Sequence, residues 1–439
     1  MVAVRVVVTG PGRVGLPLAV RAAEVGHRVV GYDPDGHRVE RLTAGGSHVE
    51  DVPAARLRPL LASGAYRPSA DPADVEGFDV AVITVPAPLR DGAPDLSRVE
   101  AAAVLLARHL RPGATVVLET TAYPGTTEEL LAPLLEEGSG LTAGRDFHLG
   151  CSPERTGPGD PARRLENTPK VVSGVGPAAL AAVDGFYRQL VERTVPVSSC
   201  RQAELTRLLE CGFRQVNTAL VNELAMFAHD LGLDLREAID AAATEPFGPE
   251  PFGPPRLTPG PGADGPCLPI DPAYLPWRAE RALGQSFRLV ELANEVNGRM
   301  PDYVVRRLAA ALEERRRPVR GARVLLLGPA DACGAGDCGR CGDFADLGDS
   351  WATPAIRIAE LLVRAGAEVR VAGPRPGCCP DGRPAAVTAV RATPRELAGA
   401  DAVVLLSDHA DHDDRAVARH ARYVLDCRRR PAGAAVEVL

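Results

Sequence analysis

The sequence predicts an α/β fold in which two Rossmann-like doubly wound domains are joined by a long central helix and an all-helical middle region. Three observations predict this fold. A strand, a glycine-rich turn, a helix and a second strand follow one another at the start of the chain. A proline-free segment with helical periodicity covers 203–231, and strands alternate with helices again after residue 318. We therefore expect three domains, at 1–195, 196–315 and 316–439.

Bulk composition narrows the class of protein. With 439 residues the chain is too long for a single core, and its net charge of −7 argues against a nucleic-acid binder. No segment reaches the roughly 18 uninterrupted apolar residues of a membrane span, and the start shows no signal-peptide cleavage pattern. Ten scattered cysteines then indicate reduced thiols. We expect a cytoplasmic protein without membrane or nucleic-acid partners.

The first strand leads directly into a dinucleotide-binding fingerprint. Val4–Thr9 is a β-branched run, Leu16–Val25 has the pattern of a helix, and His27–Tyr32 is a second strand that ends at Asp33. A G-x-G-x-x-G turn joins the first strand to the helix, and its flanks argue against an ordinary glycine-rich loop. The turn residues that we expect to bind the cofactor are Gly10, Gly12, Arg13, Val14 and Gly15.

The same fingerprint predicts which cofactor is bound. Glycines permit a close backbone approach to a pyrophosphate, and the helix N-terminus offers unpaired N–H groups to that anion. A carboxylate at Asp33 accepts hydrogen bonds from the adenosine ribose and repels a 2′-phosphate. NAD is therefore expected rather than NADP.

Polar loops follow further strands of this domain. Strands predicted at Asp79–Thr84 and Ala114–Leu118 lead into polar turns, and a third polar turn covers 149–155. In a doubly wound sheet, loops at the carboxyl ends of the strands line the ligand crevice. One such loop alone is more often structural than functional, but their convergence on one edge favours a site. The residues of these loops that enter the predictions below are Pro86, Thr121, Glu154 and Arg155.

The segment 203–231 predicts a long amphipathic helix. A second face of this helix carries polar residues at positions i, i+4, i+7 and i+11, and periodicity alone favours a solvated side for it. These polar-face residues are Arg207, Cys211, Arg214 and Thr218. The residues expected to form a buried stripe are Leu205, Leu208, Leu209, Val216, Leu220, Leu224 and Phe227.

A loop rich in proline and glycine covers 245–266 and delivers Cys267, with Asp271 four residues further on. Such a backbone forms neither helix nor sheet. A loop cysteine near a carboxylate is a candidate nucleophile, activated by a cation or helix end that lowers its pKa. On these residues alone, a nucleophile and an incidental thiol are equally compatible with the pattern.

These stretches together resemble the UDP-glucose/GDP-mannose dehydrogenase family. The resemblance is dense over roughly 4–310 and looser beyond. EDVP at 50–53 and the paired PFG elements at 246–253 are more similar to the UDP-N-acetylhexosamine branch than to the UDP-glucose branch. The matching runs are VVVTGPGRVGLPLA, EDVP, DGAPDLS, ETTAYPGTTEE, SPER, NTPKVVSG, FRQVNTALVNELA, PFGPEPFG, CLPIDPAYL and ELANEVNGRMPDYVV.

The resemblance implies an NAD-dependent nucleotide-sugar 6-dehydrogenase, which oxidises a sugar C6 alcohol to a carboxylate with two NAD. Carried over by position, Cys267 would add to the C6 aldehyde, giving a thiohemiacetal and then a thioester. Glu154 would orient the hydrolytic water near Thr121, and Asp271 would assist proton transfer. A homodimer formed through the long helix is also implied. Further contacts implied are Pro86 and Thr121 with NAD, and Arg155, Asn217, Gly260 and Gly262 with substrate.

Two positions on the long helix depart from the family pattern, because Arg207 and Cys211 replace a lysine and an asparagine. Arginine cannot act as a base, although it can stabilise an oxyanion, and losing one oxyanion donor typically costs about 10²–10³ in rate. Pro266 and Asp264 also replace the family's histidine and glycine.

Three interpretations stay open: a four-electron dehydrogenase, an enzyme that stops at the aldehyde or runs another redox reaction, and an impaired homologue that only binds. A β-hydroxyacid dehydrogenase would share the fold without needing Cys267.

A second β-α-β pattern follows residue 318, and the resemblance implies that it binds the UDP moiety. The arginine that the family carries in its first loop is absent here, at Gly348. The predicted elements are strands Arg323–Gly328, Glu368–Ala372, Asp401–Leu406 and Arg422–Asp426, and helix Pro354–Ala365.

Cysteines in this last domain suggest a structural zinc site. Cys333, Cys338 and Cys341 have C-x4-C-x2-C spacing, and Cys378 could supply a fourth thiolate. The second C-x2-C of a typical site is missing, so a loop with incidental thiols is the alternative.

Overall fold

The computed structural model describes residues 3–49, 51–156, 163–242, 244, 259–262, 271–328, 354–372, 387–406, 413–427 and 436–439. Within them the chain divides into two compact units, one up to Leu209 and the other from Glu210 onwards.

An eight-stranded sheet forms the centre of the first unit. Its strand order is β10-β9-β8-β7-β4-β1-β2-β3, and all neighbours are parallel except β8 and β9. A two-stranded antiparallel ribbon, β5-β6, lies outside it. The strands are β1 Arg5–Thr9, β2 Arg28–Tyr32, β3 Tyr66–Ser69, β4 Val80–Ile83, β5 Leu89–Arg90, β6 Ala93–Pro94, β7 Thr115–Leu118, β8 His148–Cys151, β9 Lys170–Gly174 and β10 Thr194–Pro196.

Apolar side chains cover both faces of this sheet. Val6 and Val8 of β1 belong to one buried cluster and Val7 to another, as expected for a parallel strand between two helical layers. A short 3₁₀ turn covers Pro72–Val75, and a π-helical turn, Thr126–Leu131, runs into the fifth helix. The helices are α1 Gly15–Glu24, α2 Gly36–Thr43, α3 Ala54–Ala62, α4 Ser97–Ala107, α5 Ala132–Ser139 and α6 Pro177–Tyr187.

The strand order places a topological switch at β1. This strand pairs with β2 on one side and with β4 on the other. Consecutive connections therefore leave β1 in opposite directions, and ligands of open α/β sheets bind at such a point, outside the carboxyl ends of the strands.

Helix α7, Cys200–Asp230, continues from the first unit into the second. Our assignment of its faces was wrong. Leu205, Leu209 and Leu224 are exposed, whereas Arg207 and Cys211 are only 4% and 1% exposed. Most of the leucine stripe therefore lies on the outer side of the single chain, and the first two residues of the predicted polar face are buried.

The second unit combines helices with a six-stranded parallel sheet of order β13-β12-β11-β14-β15-β16. Helix α10, Arg288–Glu314, covers this sheet with Met300, Val304 and Leu308. The prediction of an α/β fold with two doubly wound domains and a helical middle region is confirmed. The remaining elements are helices α8 Leu235–Ala242, α9 Asp271–Leu283, α11 Pro354–Arg364, α12 Pro394–Gly399 and α13 Asp414–His420, and strands β11 Arg323–Leu327, β12 Glu368–Ala372, β13 Val387–Ala389, β14 Ala402–Leu405, β15 Val424–Asp426 and β16 Val436–Val438.

Across the described ranges, the search for a helix of the length and apolar character that a bilayer requires finds none.

Candidate active site

The glycine-rich turn after β1 is held in a shape that fits a dinucleotide. A Cβ atom at Gly15 would collide with the carbonyl of Gly10 and the hydroxyl of Thr84, so only glycine fits there. The Thr84 hydroxyl lies 2.8 Å from the carbonyl oxygens of Thr9 and Gly10 and fixes the turn. No side chain caps the N-terminus of α1. The positive end of the helix dipole at this turn therefore favours a phosphate.

Asp33 is buried at the carboxyl end of β2 with its carboxylate oriented. One oxygen accepts a hydrogen bond from the Arg38 guanidinium at 2.7 Å, and the other accepts one from the Asp35 backbone at 3.0 Å. Burial and the charges of Arg38 and Arg41 lower the pKa of nearby His48 to about 4. This imidazole, which no motif in the sequence marks, is therefore neutral at pH 7.

The loops after β1, β4 and β7 meet at one edge of the sheet. A Cβ on Gly10 would lie 3.0 Å from Val85, and the Thr120 hydroxyl donates to the Val85 carbonyl at 2.7 Å. Pro86 and Thr121, the next residues of the two loops, are half-buried beside these contacts. The structure therefore brings together loops that sequence reasoning could only assign to the same edge.

A buried glutamate secures the last of these loops. Glu204, in the first turns of α7, accepts hydrogen bonds from the backbone N–H of Gly125 at 2.6 Å and of Thr127 at 2.8 Å. The Thr127 hydroxyl also donates to it at 2.6 Å. These hydrogen bonds were not predicted, because their partners are 77 to 79 residues apart in the chain.

A small cavity of about 20 Å³ opens beside the glycine-rich turn. It contains Arg13 and Val14 of the turn together with Glu154, three residues that we predicted to belong to the site. The remaining lining residues are Pro17, Asp51, Arg56, Thr156, Arg164, Leu165 and Glu166.

Behind the cavity, Glu154 is part of a buried charge cluster. The ammonium of Lys170, at the start of β9, donates to Glu154 at 3.1 Å and also pairs with Glu119. The Tyr187 hydroxyl donates to Glu119 at 3.2 Å, and the Thr156 backbone N–H donates to Glu154 at 2.5 Å. Two carboxylates thus share one cation inside the first unit.

Charge and burial act differently on the two carboxylates of this cluster. For Glu154, burial alone would raise the pKa, but Lys170 and the hydrogen bonds from Thr156 outweigh it and lower the pKa to about 2. For Glu119, burial prevails over Lys170 and raises the pKa to about 7. Glu154 is therefore ionised at neutral pH and can accept hydrogen bonds from a bound molecule.

Lys170 and Glu119 were not selected from the sequence, although one signal was available. Lys170 is the only lysine in a chain whose lysine and arginine total is 50. All other members of that total are arginines, so the lysine at this position stands out.

The residues that the resemblance implies as substrate contacts differ in their hydrogen-bond partners and backbone geometry. Arg155 donates to the Pro169 carbonyl at 2.7 Å, and the Asn217 amide donates to the Phe213 carbonyl of its own helix at 2.6 Å. Gly262 has φ of +145°, and a Cβ there would lie 2.8 Å from Pro354. Only glycine is compatible with that geometry.

A buried amide chain anchors the loop at Gly260. Its N–H donates to the Asn222 side-chain oxygen at 2.9 Å, and the Asn222 amide donates to Asn297 at 2.9 Å. The Asn297 amide in turn donates to the Gln215 backbone carbonyl at 3.1 Å. The side chains of Asn222 and Asn297 thus fix the loop by hydrogen bonds, and neither was predicted.

The central residues of the predicted chemistry lie outside the described part of the chain. Nothing is described of Cys267 or of the Asp271 side chain, although Asp271 begins α9. Within the described ranges, no group of three or more His, Cys, Asp or Glu residues could hold a metal ion. The predicted zinc ligands Cys333, Cys338, Cys341 and Cys378 also lie outside those ranges.

Comparison with known proteins assigns the chain. The NAD-binding domain model of the UDP-glucose/GDP-mannose dehydrogenase family matches residues 4–191, and the central domain model of that family matches 201–299. The chain belongs to this family. The expectation of an NAD-dependent nucleotide-sugar dehydrogenase is therefore confirmed at the level of the family.

Relatives of this UDP-glucose/GDP-mannose dehydrogenase family member cover most of the chain. A UDP-N-acetyl-D-mannosamine dehydrogenase from Pyrococcus horikoshii is 33% identical over 412 residues, covering 93% of this chain and 90% of the relative. A UDP-N-acetyl-D-glucosamine 6-dehydrogenase from Pseudomonas aeruginosa is 36% identical and covers 74% of each chain.

Solved structures agree with this assignment. The P. horikoshii UDP-D-ManNAc dehydrogenase structure has a TM-score of 0.82 at 30% identity and covers 99% of this chain and 98% of its own. A UDP-glucose dehydrogenase from Pyrobaculum islandicum has a TM-score of 0.80 at 26% identity, with coverages of 100% and 97%.

Proposed function

We propose that this enzyme oxidises C6 of a UDP-N-acetylhexosamine, or of UDP-glucose, to the uronate through a thioester on Cys267. The observation that carries the proposal is the ionised Glu154 carboxylate on a cavity wall that also contains Arg13 and Val14 of the glycine-rich turn. A base and a cofactor-binding turn thus share one cavity. The relatives named above, which act on UDP-N-acetylhexosamines, support this substrate class.

The proposed reaction removes two hydrides and adds one water. In the first step C6 loses a hydride and the hydroxyl loses a proton, which gives the aldehyde. The Cys267 thiolate then adds to the aldehyde carbon, and loss of a second hydride leaves a thioester. Bound NAD supplies the hydride acceptor for both steps.

Hydrolysis of the thioester completes the reaction. Glu154 takes a proton from water as its oxygen attacks the thioester carbon, and the Cys267 thiolate leaves as the carboxylate forms. In this scheme Thr121 lies beside the water and Asp271 moves protons around the attacked carbon. Arg207 stabilises the oxyanion as a fixed cation, since a guanidinium does not lose its proton.

Arg207 and Cys211 also favour a second candidate, in which oxidation stops at the aldehyde or the protein only binds its ligands. Both replace groups that the family uses, and both are buried in this structure. A thiol at Cys211 is a weaker donor than an amide, which slows steps that build negative charge on oxygen.

Substrate binding and assembly follow the family in this proposal. Arg155, Asn217, Gly260 and Gly262 contact the nucleotide sugar, and the domains are 1–195, 196–315 and 316–439, in a cytoplasmic homodimer. The apolar face of α7 supports the homodimer, because it is exposed in the single chain. This face comprises Leu205, Leu209, Phe213, Leu220, Leu224 and Phe227.

The zinc site stays a prediction from the cysteine spacing. Metal analysis of protein purified without added zinc, beside the Cys338→Ser variant, tests it. One zinc per chain that is lost in the variant supports the site, whereas equal and negligible metal in both proteins removes it.

The function is tested by incubating the protein with NAD and a panel of UDP- and GDP-sugars, with products identified by mass. We expect a product that has gained one oxygen and lost two hydrogens from one UDP-sugar. Cys267→Ser should form no acid, while the control Cys427→Ala, in an apolar cluster of the second unit, should still form it. Acid formation by Cys267→Ser contradicts the mechanism, and a product that has only lost two hydrogens favours the second candidate.

A further inference from the structure

The only lysine of the chain lies in a position that arginine does not fill. The remaining 49 of the 50 basic residues are arginines, including Arg207 where the family carries a lysine. Lys170 is 2% exposed and contacts Glu119 and Glu154, with the Tyr187 ring centre 5.5 Å from its nitrogen. A compact ammonium can pair with two carboxylates in such a space, whereas the planar guanidinium needs a wider fork.

Of the charged residues Glu119, Lys170 and Glu154, only Glu154 lines the cavity. Side-chain exposure rises from 0% at Glu119 to 2% at Lys170 and 13% at Glu154. Lys170 therefore contacts the cavity through Glu154, and the pair with Glu119 holds the ammonium in place from behind.

We propose that Lys170 is a positioning residue that holds Glu154 as an oriented carboxylate on the cavity wall, with Glu119 and Tyr187 fixing the ammonium. The inference rests on the proposed function, in which Glu154 activates the water that hydrolyses the Cys267 thioester. Lys170 itself touches neither that water nor the sugar. Because the neighbouring carboxylates raise the pKa of Lys170 against the effect of burial, the ammonium keeps its charge.

Removing the cation changes the state of both carboxylates. In Lys170→Met two buried carboxylates remain with no cation between them, and like charges in a buried site raise the pKa of at least one. Lys170 is the largest influence that lowers the pKa of Glu154 against burial, so its removal raises that pKa and Glu154 recovers its charge only as the pH rises. The other titratable groups facing the cluster or lining the cavity are Arg13, Asp51, Arg56, Cys151, Arg164, Glu166 and Tyr187.

The test measures thioester hydrolysis against pH. Protein is mixed with NAD and the UDP-sugar that the panel identifies, quenched, and weighed intact to detect the acyl-enzyme. We expect Lys170→Met to hydrolyse the thioester more slowly below the raised pKa of Glu154, since each unit by which that pKa exceeds the pH costs about tenfold in carboxylate. The acyl-enzyme should accumulate below that pKa and disappear at high pH.

Three further variants separate positioning from a structural role. Glu154→Gln should accumulate acyl-enzyme at every pH, because it has no carboxylate to recover. Lys170→Arg keeps the charge but not the compact ammonium, so it should restore only part of the rate. Lys170→Met/Glu119→Gln should shift the pH profile of thioester hydrolysis back towards lower pH. A folded Lys170→Met enzyme with the parent pH profile overturns the proposal.

A second measurement is independent of turnover. Protein labelled with ¹³Cε-lysine gives one lysine signal, so the titration of Lys170 can be followed directly. We expect Glu154→Gln and Glu119→Gln each to lower the pKa of Lys170, because each removes one carboxylate partner. A titration that Glu154→Gln leaves unchanged overturns the positioning role. If the parent enzyme and Glu154→Gln form no acyl-enzyme although this coupling is present, the proposed function fails while the ion pair stands.

Discussion

The backbone N–H of Gly260 donates a hydrogen bond to the side-chain oxygen of Asn222, 2.9 Å away and 38 residues earlier in the chain. Asn222 is fully buried on α7, and its amide continues the chain of hydrogen bonds to Asn297 on α10. The position of this loop is therefore set by two helices. Gly260 lies seven residues before Cys267 in the sequence.

Replacing Asn222 should weaken nucleotide-sugar binding. Asn222→Leu leaves Gly260 without an acceptor and Asn297 without a donor, and an unsatisfied buried polar group costs about 1–3 kcal/mol. We expect the KM for the nucleotide sugar to rise about tenfold with a smaller change in the KM for NAD. Asn222→Asp keeps the acceptor for Gly260, so its KM for the nucleotide sugar should lie between those of the parent and Asn222→Leu. Equal effects on both KM values would contradict the anchoring role.

Replacing Asp33 should relax cofactor selection. In Asp33→Ser the Arg38 guanidinium loses its carboxylate partner and becomes available to a 2′-phosphate. We expect kcat/KM with NAD to fall about tenfold to a hundredfold, in line with the loss of about 1–3 kcal/mol from charge-assisted hydrogen bonds, and the ratio of NADP to NAD activity to rise. Steady-state kinetics with both cofactors measure this. Asp146→Ala, at a surface ion pair with Arg145, is the control and should leave the ratio unchanged.

A charge on the apolar face of α7 should dissociate the homodimer. Leu224 is 43% exposed in the single chain, and Leu224→Glu places a carboxylate where the proposed partner packs. Val104→Glu on α4 is a matched control, because Val104 is also 43% exposed. Sedimentation velocity should give a monomer for the first variant and a dimer for the second. If both variants are dimers, the dimer contact lies elsewhere on the chain.

Removing the carboxylate of Glu204 should destabilise the first unit. In Glu204→Gln the side-chain NH₂ faces the N–H of Gly125 or Thr127, so one hydrogen bond becomes a contact between two donors. We expect a loss of about 1–3 kcal/mol and a fall of several degrees in the thermal midpoint. Glu128→Gln, which only breaks a surface pair with Arg201, should change the midpoint much less.

Stability should depend on pH through Glu119. Its pKa is about 7 in the folded protein, because burial raises it from 4.5, so the folded chain keeps a proton that the unfolded chain has lost between those values. This contribution to the free energy of unfolding is present below pH 4.5 and is lost as the pH rises to 7, by about 2–3 kcal/mol. The contribution of His48 to the free energy of unfolding has the opposite sign and grows as the pH rises, because burial lowers its pKa to about 4.

The difference between the parent protein and Glu119→Gln isolates the contribution of Glu119. The stability advantage of the parent over this variant should shrink as the pH rises from 4.5 to 7, measured by denaturant unfolding across that range. Glu137→Gln, at an exposed position on α5, controls for the chemical change. An advantage that stays constant with pH would show that Glu119 does not hold the proton.

Local patterns predicted the first unit well. The turn from Gly10 to Gly15 and the strand ending at Asp33 depend on neighbours within about 25 residues, so their geometry can be inferred from spacing alone. The meeting of the loops after β1, β4 and β7 followed from the general rule for parallel sheets. These inferences needed no knowledge of distant contacts.

Burial could not be inferred in the same way. Periodicity shows that Leu205 and Leu209 share a face of α7, but which face is covered depends on elements elsewhere in the chain. The Lys170–Glu119 pair depends on β8 lying between β7 and β9. A polar residue at the start of a strand has no local feature that reveals such a partner. The count of lysines was the one sequence signal that marked this position.

The burial of Lys170 has a consequence for the chemistry around the molecule. Sugar aldehydes condense with unprotonated primary amines to form imines, and surface lysines are the usual acceptors of such damage in proteins. Since Lys170 is the only lysine and is 2% exposed, the folded chain presents no lysine side chain to a free aldehyde. The proposed reaction passes through an aldehyde, and the one lysine side chain lies where stray carbonyl compounds do not reach it.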